Sequence, residues 1–270
     1  MKGLKNKNNS IPVLMYHEVT DCPERQKEIR KIDPSYSLAT QQFEEHIAYL
    51  YDSGYRTVSI DEMIHQQSNN RKTCVITFDD GHVGNYEFAF PILKKYHFTA
   101  TIFITVGAIS IDSFMNWDQL RELTYNGFSI QSHTMTHRAL GELNDKDIFY
   151  ELSESKKIIE KEIGKEVKYL SLPFGSGKRN VFKIADEVGY VAVFTSLLYD
   201  IDLNSKPAMI GRIPITDSHN KDTIKNLILK NPKLYYKMKI NSLIKNTLKK
   251  IVGLNNYRKI YRFVYRIEIS

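Results

Sequence analysis

Two adjacent carboxylates, Asp79 and Asp80, close the stretch CVITFDDGH at residues 74–82. Neighbouring negative charges at the end of an apolar run repel, and desolvating either is costly unless a cation neutralises it. A solvated Asp-Asp-Gly turn is one reading. The other is that one carboxylate holds a metal ion while its neighbour handles a proton, and this needs further ligands. His133 and His137 in SHTMTH supply them. Their spacing of four predicts both imidazoles on one side of a helical turn, close enough to grip one ion. Two nitrogens and one carboxylate oxygen leave positions open for water, the ligand count of a catalytic zinc site. Fe(II) takes the same donor set. Two histidines four apart arise often by chance, so the position of the pair along the chain matters. Both it and the Asp pair directly follow strand-like runs.

The elements that must hold these residues alternate in kind. Strand candidates are IPVLMY (11–16), YRTVSI (55–60), TCVITF (73–78), TATIFITV (99–106), FSIQS (128–132), VKYLSL (167–172) and YVAVFTS (190–196). Between them lie helical patterns, the first placing Phe43, Ile47, Leu50 and Tyr51 on one face after a capping Thr40, with Gly54 as the stop. Apolar strands separated by amphipathic helices imply a parallel sheet covered by helices. Seven or eight such units predict a closed or distorted (β/α) barrel, an α/β fold whose site lies at the C-terminal ends of the strands. His17, Asp79, Asp80, His133 and His137 all fall there.

Composition narrows the remaining classes. The chain has 270 residues, 42% of them hydrophobic, enough for one large core. Its two cysteines, Cys22 and Cys74, have unlike contexts and no C-x-x-C, so neither a disulfide framework nor a thiolate metal site is expected. The net charge of +7 is uneven: residues 221–270 carry +11 and the rest −4. That split, with no nucleic-acid-binding signature, argues against a nucleic-acid partner. The apolar run after the basic first ten residues is too short for a signal-peptide core, and no stretch reaches a membrane span. The expectation is a cytoplasmic protein, peripheral at the inner membrane face.

TFDDG, SHTMTH and LSLPFG (170–175), in that order, resemble the successive motifs of the polysaccharide deacetylases, the nodulation-deacetylase-like carbohydrate esterases. The resemblance runs from about residue 11 to 214. It is nearest to the branch with poly-β-1,6-N-acetylglucosamine N-deacetylases, through PVLMYHEV, FEEHIAYLYDSGY, PILKKYHFTATIFI and WDQLREL. It implies a metal-dependent hydrolase that removes N-acetyl groups from N-acetylhexosamine residues of a glycan or glycan precursor, most naturally with Zn2+. Carried over by position, Asp79 is the general base, Asp80, His133 and His137 hold the metal, and Pro173 and Phe174 wall the substrate groove. In this branch the general acid comes from the first strand, which points to His17, with His219 as rival in a polar, solvated segment. The third motif often carries an arginine that orients the base. Here that position is Ser171, and Arg212 in MIGRIPI is the candidate to reach the same place, a surface salt bridge being the duller reading. Trp117 could stack on a sugar ring or simply pack at a helix start. His82, where the family often has an aromatic, could line the cleft or be exposed. An O-acetyl esterase or non-sugar amidase on the same fold, and a non-catalytic carbohydrate-binding protein, are the competing readings.

The expected organisation is a basic extension (1–10), a catalytic domain (11–220) and a basic helical tail (221–270). Ile240, Leu243, Ile244, Leu248, Ile251 and Val252 form one face of the tail, with Lys237, Lys245 and Lys249 mostly off it. Such a helix suits an anionic membrane surface, or docks the same apolar face on the barrel.

Overall fold

A computed structural model describes residues 11–21, 34–65, 72–175, 177–196, 198 and 202–252. Cys22 and the basic extension lie outside them. Eight parallel strands form one curving sheet: β1 (Val13–Tyr16), β5 (Thr73–Phe78), β6 (Thr101–Ile104), β7 (Ser129–Ser132), β8 (Tyr169–Ser171), β9 (Ala192–Thr195), β10 (Ala208–Gly211) and β11 (Ile213–Pro214). Their spatial order is β10-β9-β8-β7-β6-β5-β1-β11. β2 (Glu18–Thr20) and β3 (Ser37–Ala39) pair separately, and β4 (Arg56–Thr57) adds to β5. Eight α-helices are described: α1 (Thr40–Asp52), α2 (Ile60–His65), α3 (Phe90–Lys95), α4 (Trp117–Tyr125), α5 (Asp145–Ile163), α6 (Arg179–Val188), α7 (Lys221–Ile228) and α8 (Pro232–Val252).

The sheet is a nearly closed (β/α) barrel, and its seam is made by one continuous segment. β10 pairs with β9 as far as Gly211↔Thr195, and β11 pairs with β1 from Leu14↔Ile213. A single residue, Arg212, separates the two strands. The chain therefore steps from one edge of the sheet to the other within one residue, which covers edges that would otherwise stay open.

Strand periodicity sorts the core into two layers. Leu14, Tyr16, Ile76, Phe78, Ile102, Ile104, Ile130, Leu170 and Val193 face outward into the larger cluster shared with the helices. The opposite phase, Val13, Val75, Phe103, Tyr169, Ala192, Phe194, Ala208 and Ile210, fills the barrel with Val58, Ile60 and Met63. Continued toward the strand ends, that inner phase reaches Thr77 and Asp79 from Val75, Ser171 from Tyr169, and Arg212 from Ile210. The barrel is thus apolar at one end and polar where the chemistry sits.

Two local expectations are corrected. The strand over 55–60 pairs only at Arg56–Thr57, because Ser59 and Glu62 form a reciprocal capping box that starts α2: Ser59 N–H donates to Glu62 Oε2 (2.7 Å) and Glu62 N–H to Ser59 Oγ (3.0 Å). Thr40 is not the cap of α1; Ala39 holds that position, and Thr40 Oγ1 is buried with no partner among the described residues.

Candidate metal centre and its buried arginine

Asp80 follows β5 and His133 follows β7, strands separated in the sheet by β6, and the shared C-terminal end of the barrel brings them together. Asp80 Oδ1 lies 3.4 Å from His133 Nε2 and 3.3 Å from His137 Nε2. The three ligand atoms fall within 4.8 Å of one another. The histidine pair is not held by a helical turn as its spacing predicts. Residues 133–137 are irregular, and Thr134 (φ 70°) and His137 (φ 57°) adopt left-handed backbone. Asp80 (φ 73°) and Phe174 (φ 60°) do so as well. Such conformations disfavour side chains with a Cβ, β-branched threonine most of all, and persist only where surrounding contacts over-determine them. Gly81 continues the turn at φ 88°, and a Cβ there would press on Ile104 at 3.1 Å.

The loop is fixed from below by a residue that sequence reasoning passed over. Glu151 lies on the buried face of α5 between Ile148 and Leu152. Its Oε2 accepts the backbone N–H of Met135 (3.0 Å) and Thr136 (2.8 Å), and Oε1 accepts the Thr136 hydroxyl. The available signal is a lone carboxylate on a helix face whose other buried residues are uncharged.

The donor chemistry fits a divalent ion. The ring N–H at Nδ1 of His133 donates to the Ser171 carbonyl at 2.9 Å, an acceptor only, which leaves the Nε2 lone pair facing Asp80 and His137. Burial lowers the His137 pKa to about 4, against the pull of Asp80, which favours the neutral ring. Burial also acts against charge on His133, but the Asp79 and Asp80 carboxylates outweigh it and raise its pKa. Asp80 lies well below the usual carboxylate value: burial pushes it up, and His133 and His82 more than reverse that.

Arg212 occupies the barrel seam at 1% exposure, not the surface. All five of its N–H donors are placed. One amino group donates to Asp79 Oδ1 (2.7 Å) and Thr77 Oγ1 (3.3 Å), the other to Asp79 Oδ2 (2.7 Å) and Ser171 Oγ (2.8 Å), and Nε to the Thr195 carbonyl (3.2 Å). Phe103 and Phe194 flank the guanidinium, their ring centroids 5.5 and 5.9 Å away. Ser171 Oγ in turn donates to Asp79 Oδ2 at 3.1 Å. A small hydroxyl therefore stands at the third-motif position, and the arginine from the seam reaches Asp79 beside it. Burial pushes the Asp79 carboxyl up, but Arg212 and then His133 bring it below the ordinary value.

His17 follows β1, its ring 4.3 Å from that of Tyr36, and its Nδ1 is buried without a partner among the described residues. Burial lowers its pKa, partly opposed by Asp80 and Asp79, so the ring lies within the field of the site. His219 is elsewhere and is half-buried rather than solvated. Its Nδ1 accepts from Thr216 N–H, and its carbonyl receives His46 and Gln42 from α1. Phe174 meets His137 edge-on at 4.9 Å beside buried Pro173. The Gly175 N–H is given to Leu172 O. Trp117 stands apart, opening α4 and packing half-buried on the larger core. His82 is fully buried against Asp80, not exposed.

A family model described as polysaccharide deacetylase matches residues 66–193. The chain is 33% identical over 184 residues to YxkH of Bacillus subtilis, named for the polysaccharide deacetylases. That match covers 67% of this chain and 62% of the relative, so the chain spans less than two thirds of that protein's length. It is 28% identical over 250 residues to the poly-beta-1,6-N-acetyl-D-glucosamine N-deacetylase of Staphylococcus aureus strain MRSA252, covering 83% of this chain and 85% of that one. Among solved structures, a polysaccharide deacetylase from Bacillus cereus superposes with a TM-score of 0.72 at 25% identity, over 81% of this chain and 68% of that chain.

Proposed function

Because the chain belongs to the polysaccharide deacetylase family, we propose that it is a metal-dependent hydrolase removing N-acetyl groups from N-acetylhexosamine residues of a glycan or exopolysaccharide precursor. The observation that carries this reading is the Asp80–His133–His137 cluster beside an arginine-locked Asp79. A divalent ion held by those three residues, Zn2+ by donor type, supplies Lewis acidity toward the acetyl carbonyl and makes water a better nucleophile.

The chain's own groups do the rest. Arg212 keeps Asp79 ionised and fixes its plane. A carboxylate offers about four lone-pair positions. Among the described bonds, the guanidinium takes one on each oxygen and Ser171 a second on Oδ2, so the open position is on Oδ1. That is where the attacking water's proton is accepted. His17, within the field of both aspartates, gives a proton to the departing amine. Phe174 and Pro173 border the cluster and position the sugar.

The direct test is incubation of the full chain with N-acetylglucosamine oligomers, measuring acetate and new free amine. Both should appear, vanish with chelator and return with Zn2+. Acetate without new amine, from an O-acetylated substrate alone, would reassign it as an esterase, and no release from either would remove the enzymatic reading. We expect Asp80→Ala, His133→Ala and His137→Ala each to weaken Zn2+ binding by more than the roughly 10–100-fold that loss of an outer partner costs. Three variants that hold zinc like the parent would show that the ion is bound elsewhere.

We further propose that the tail attaches to an anionic membrane surface. Among the described residues no helix is long and apolar enough to cross a membrane. α8 meets the barrel through Leu234, Tyr235 and Met238, while Ile240, Leu243 and Ile244 are 54%, 43% and 52% exposed. The face read from the sequence is thus turned to solvent where its side chains are described. Those of Leu248 and Ile251 lie outside the described set, and Val252 is half-buried. Exposed Lys233 and Lys237 accompany it, and each basic residue near an anionic surface contributes about 1 kcal/mol. Vesicles rich in phosphatidylserine should sediment the parent at low salt, less at moderate salt, and less still with Ile240, Leu243 and Ile244 all changed to serine. Equal, negligible sedimentation of parent and variant would remove the membrane from the account.

A further inference from the structure

Asp80 has two carboxylate oxygens, and the ligand cluster uses one of them. Oδ1 faces His133 and His137. Oδ2 faces a third imidazole, Nε2 of His82, at 3.5 Å. In the tautomer with hydrogen on Nε2, Oδ2 is the acceptor that the ring faces, and a small closing of the 3.5 Å gap completes the bond. His82 cannot drift from this place. Its ring is 0% exposed and stacks on Phe114 with centroids 4.8 Å apart and planes at 27°. The backbone on either side is stitched to the 113–115 segment, Val83 N–H donating to Ser113 O and Met115 N–H to Gly81 O, each at 3.0 Å. Asp80 itself sits at φ 73°, a conformation that must be held from outside.

We infer that His82 is a positioning residue for Asp80: its Nε2–H engages Oδ2, sets the carboxylate plane, and presents Oδ1 to the ion. The inference rests on the reading of Asp80, His133 and His137 as the residues that hold the metal. His82 touches neither substrate nor the reacting atoms in this role. It acts as an outer partner of one ligand, the class of contact whose removal typically weakens metal affinity by about 10–100-fold.

Two substitutions separate the hydrogen-bonding role from packing. His82→Phe keeps an aromatic ring to stack on Phe114 and removes the donor. His82→Gln removes the ring and restores an N–H donor, while an amide is a poor zinc ligand. Zinc affinity of the full-length variants is measured by competition with a chromophoric chelator, alongside thermal unfolding of the metal-free proteins. His82→Phe should bind Zn2+ about 10–100-fold more weakly than the parent with its metal-free unfolding temperature unchanged, and His82→Gln should recover part of the loss. Parent-like zinc affinity in His82→Phe would overturn the inference and leave His82 as packing. Equal weakening in both variants would also overturn it, since a donor would then make no difference. His133→Ala serves as the control on the premise: if it too retains zinc, the ligand assignment fails, whereas loss of zinc there with none in His82→Phe refutes only the role of His82.

Discussion

Asparagine in place of Asp79 is expected to lower the turnover of acetylated oligomers by about 10²–10⁴-fold, the range that a positioned general base contributes, while zinc content stays at the parent level. The amide keeps the shape of the side chain but cannot take a proton. It also has one acceptor oxygen where Arg212 presents two amino groups, so one of the 2.7 Å bonds is lost whichever way the amide turns. Metal content is therefore measured with kcat on the same preparation. Near-parent kcat at full zinc occupancy would take the base role away from Asp79.

Replacing Arg212 by methionine should cost about 3–5 kcal/mol of stability, the usual penalty for breaking a buried ion pair from one side. Asp79 is 2% exposed, and without the guanidinium its charge has no compensating cation of equal reach. Combined with Asp79→Asn, the loss should be clearly less than the sum of the two single losses, because neither buried charge is then stranded. Urea unfolding of the metal-free proteins measures both. The sign with pH follows from Asp79. In the parent its carboxyl lies below the ordinary value, so its contribution is complete above the unfolded-state value near 4 and is lost as pH falls through the folded one. In Arg212→Met burial is opposed only by His133 and His17 and the folded value rises, so the variant is penalised at neutral pH and relieved on acidification. The stability gap should narrow as pH drops below about 4. Additive single losses, or a gap independent of pH, would mean that Arg212 is held by its aromatic neighbours rather than by Asp79.

The parts of this arrangement that were legible in the sequence were those carried by local pattern. Thr73–Phe78 shows its strand as a run of six apolar or β-branched residues, and the two aspartates follow without a gap. His133 stands at the end of another such run, so strand order alone brings it to Asp80. The spacing of His133 and His137 fits a helical turn and a tight loop equally well, and the choice rests on Thr134 entering left-handed backbone, which its side chain does not announce. Arg212 was ambiguous for a different reason. In MIGRIPI its alternation with Ile210 and Ala208 marks it as inward, yet whether inward means barrel or solvent depends on the segment joining both sheet edges, a property of distant pairings. Glu151 reads as an error in an apolar helix face until the amides it receives are located.

The one-residue step at Arg212 also sets an order in time. Asp79 and Arg212 are 133 positions apart in the chain. At roughly 5–20 residues per second of synthesis, 133 residues take from several to some tens of seconds to follow. Through that interval the nascent chain holds its paired aspartates with no guanidinium between the strands, and the edges of β1 and β9 remain uncovered. The residue that locks Asp79 also immediately precedes the strand that covers the β1 edge. A ribosome-bound chain therefore carries an incomplete Asp79–Arg212 pair until translation has passed the seam.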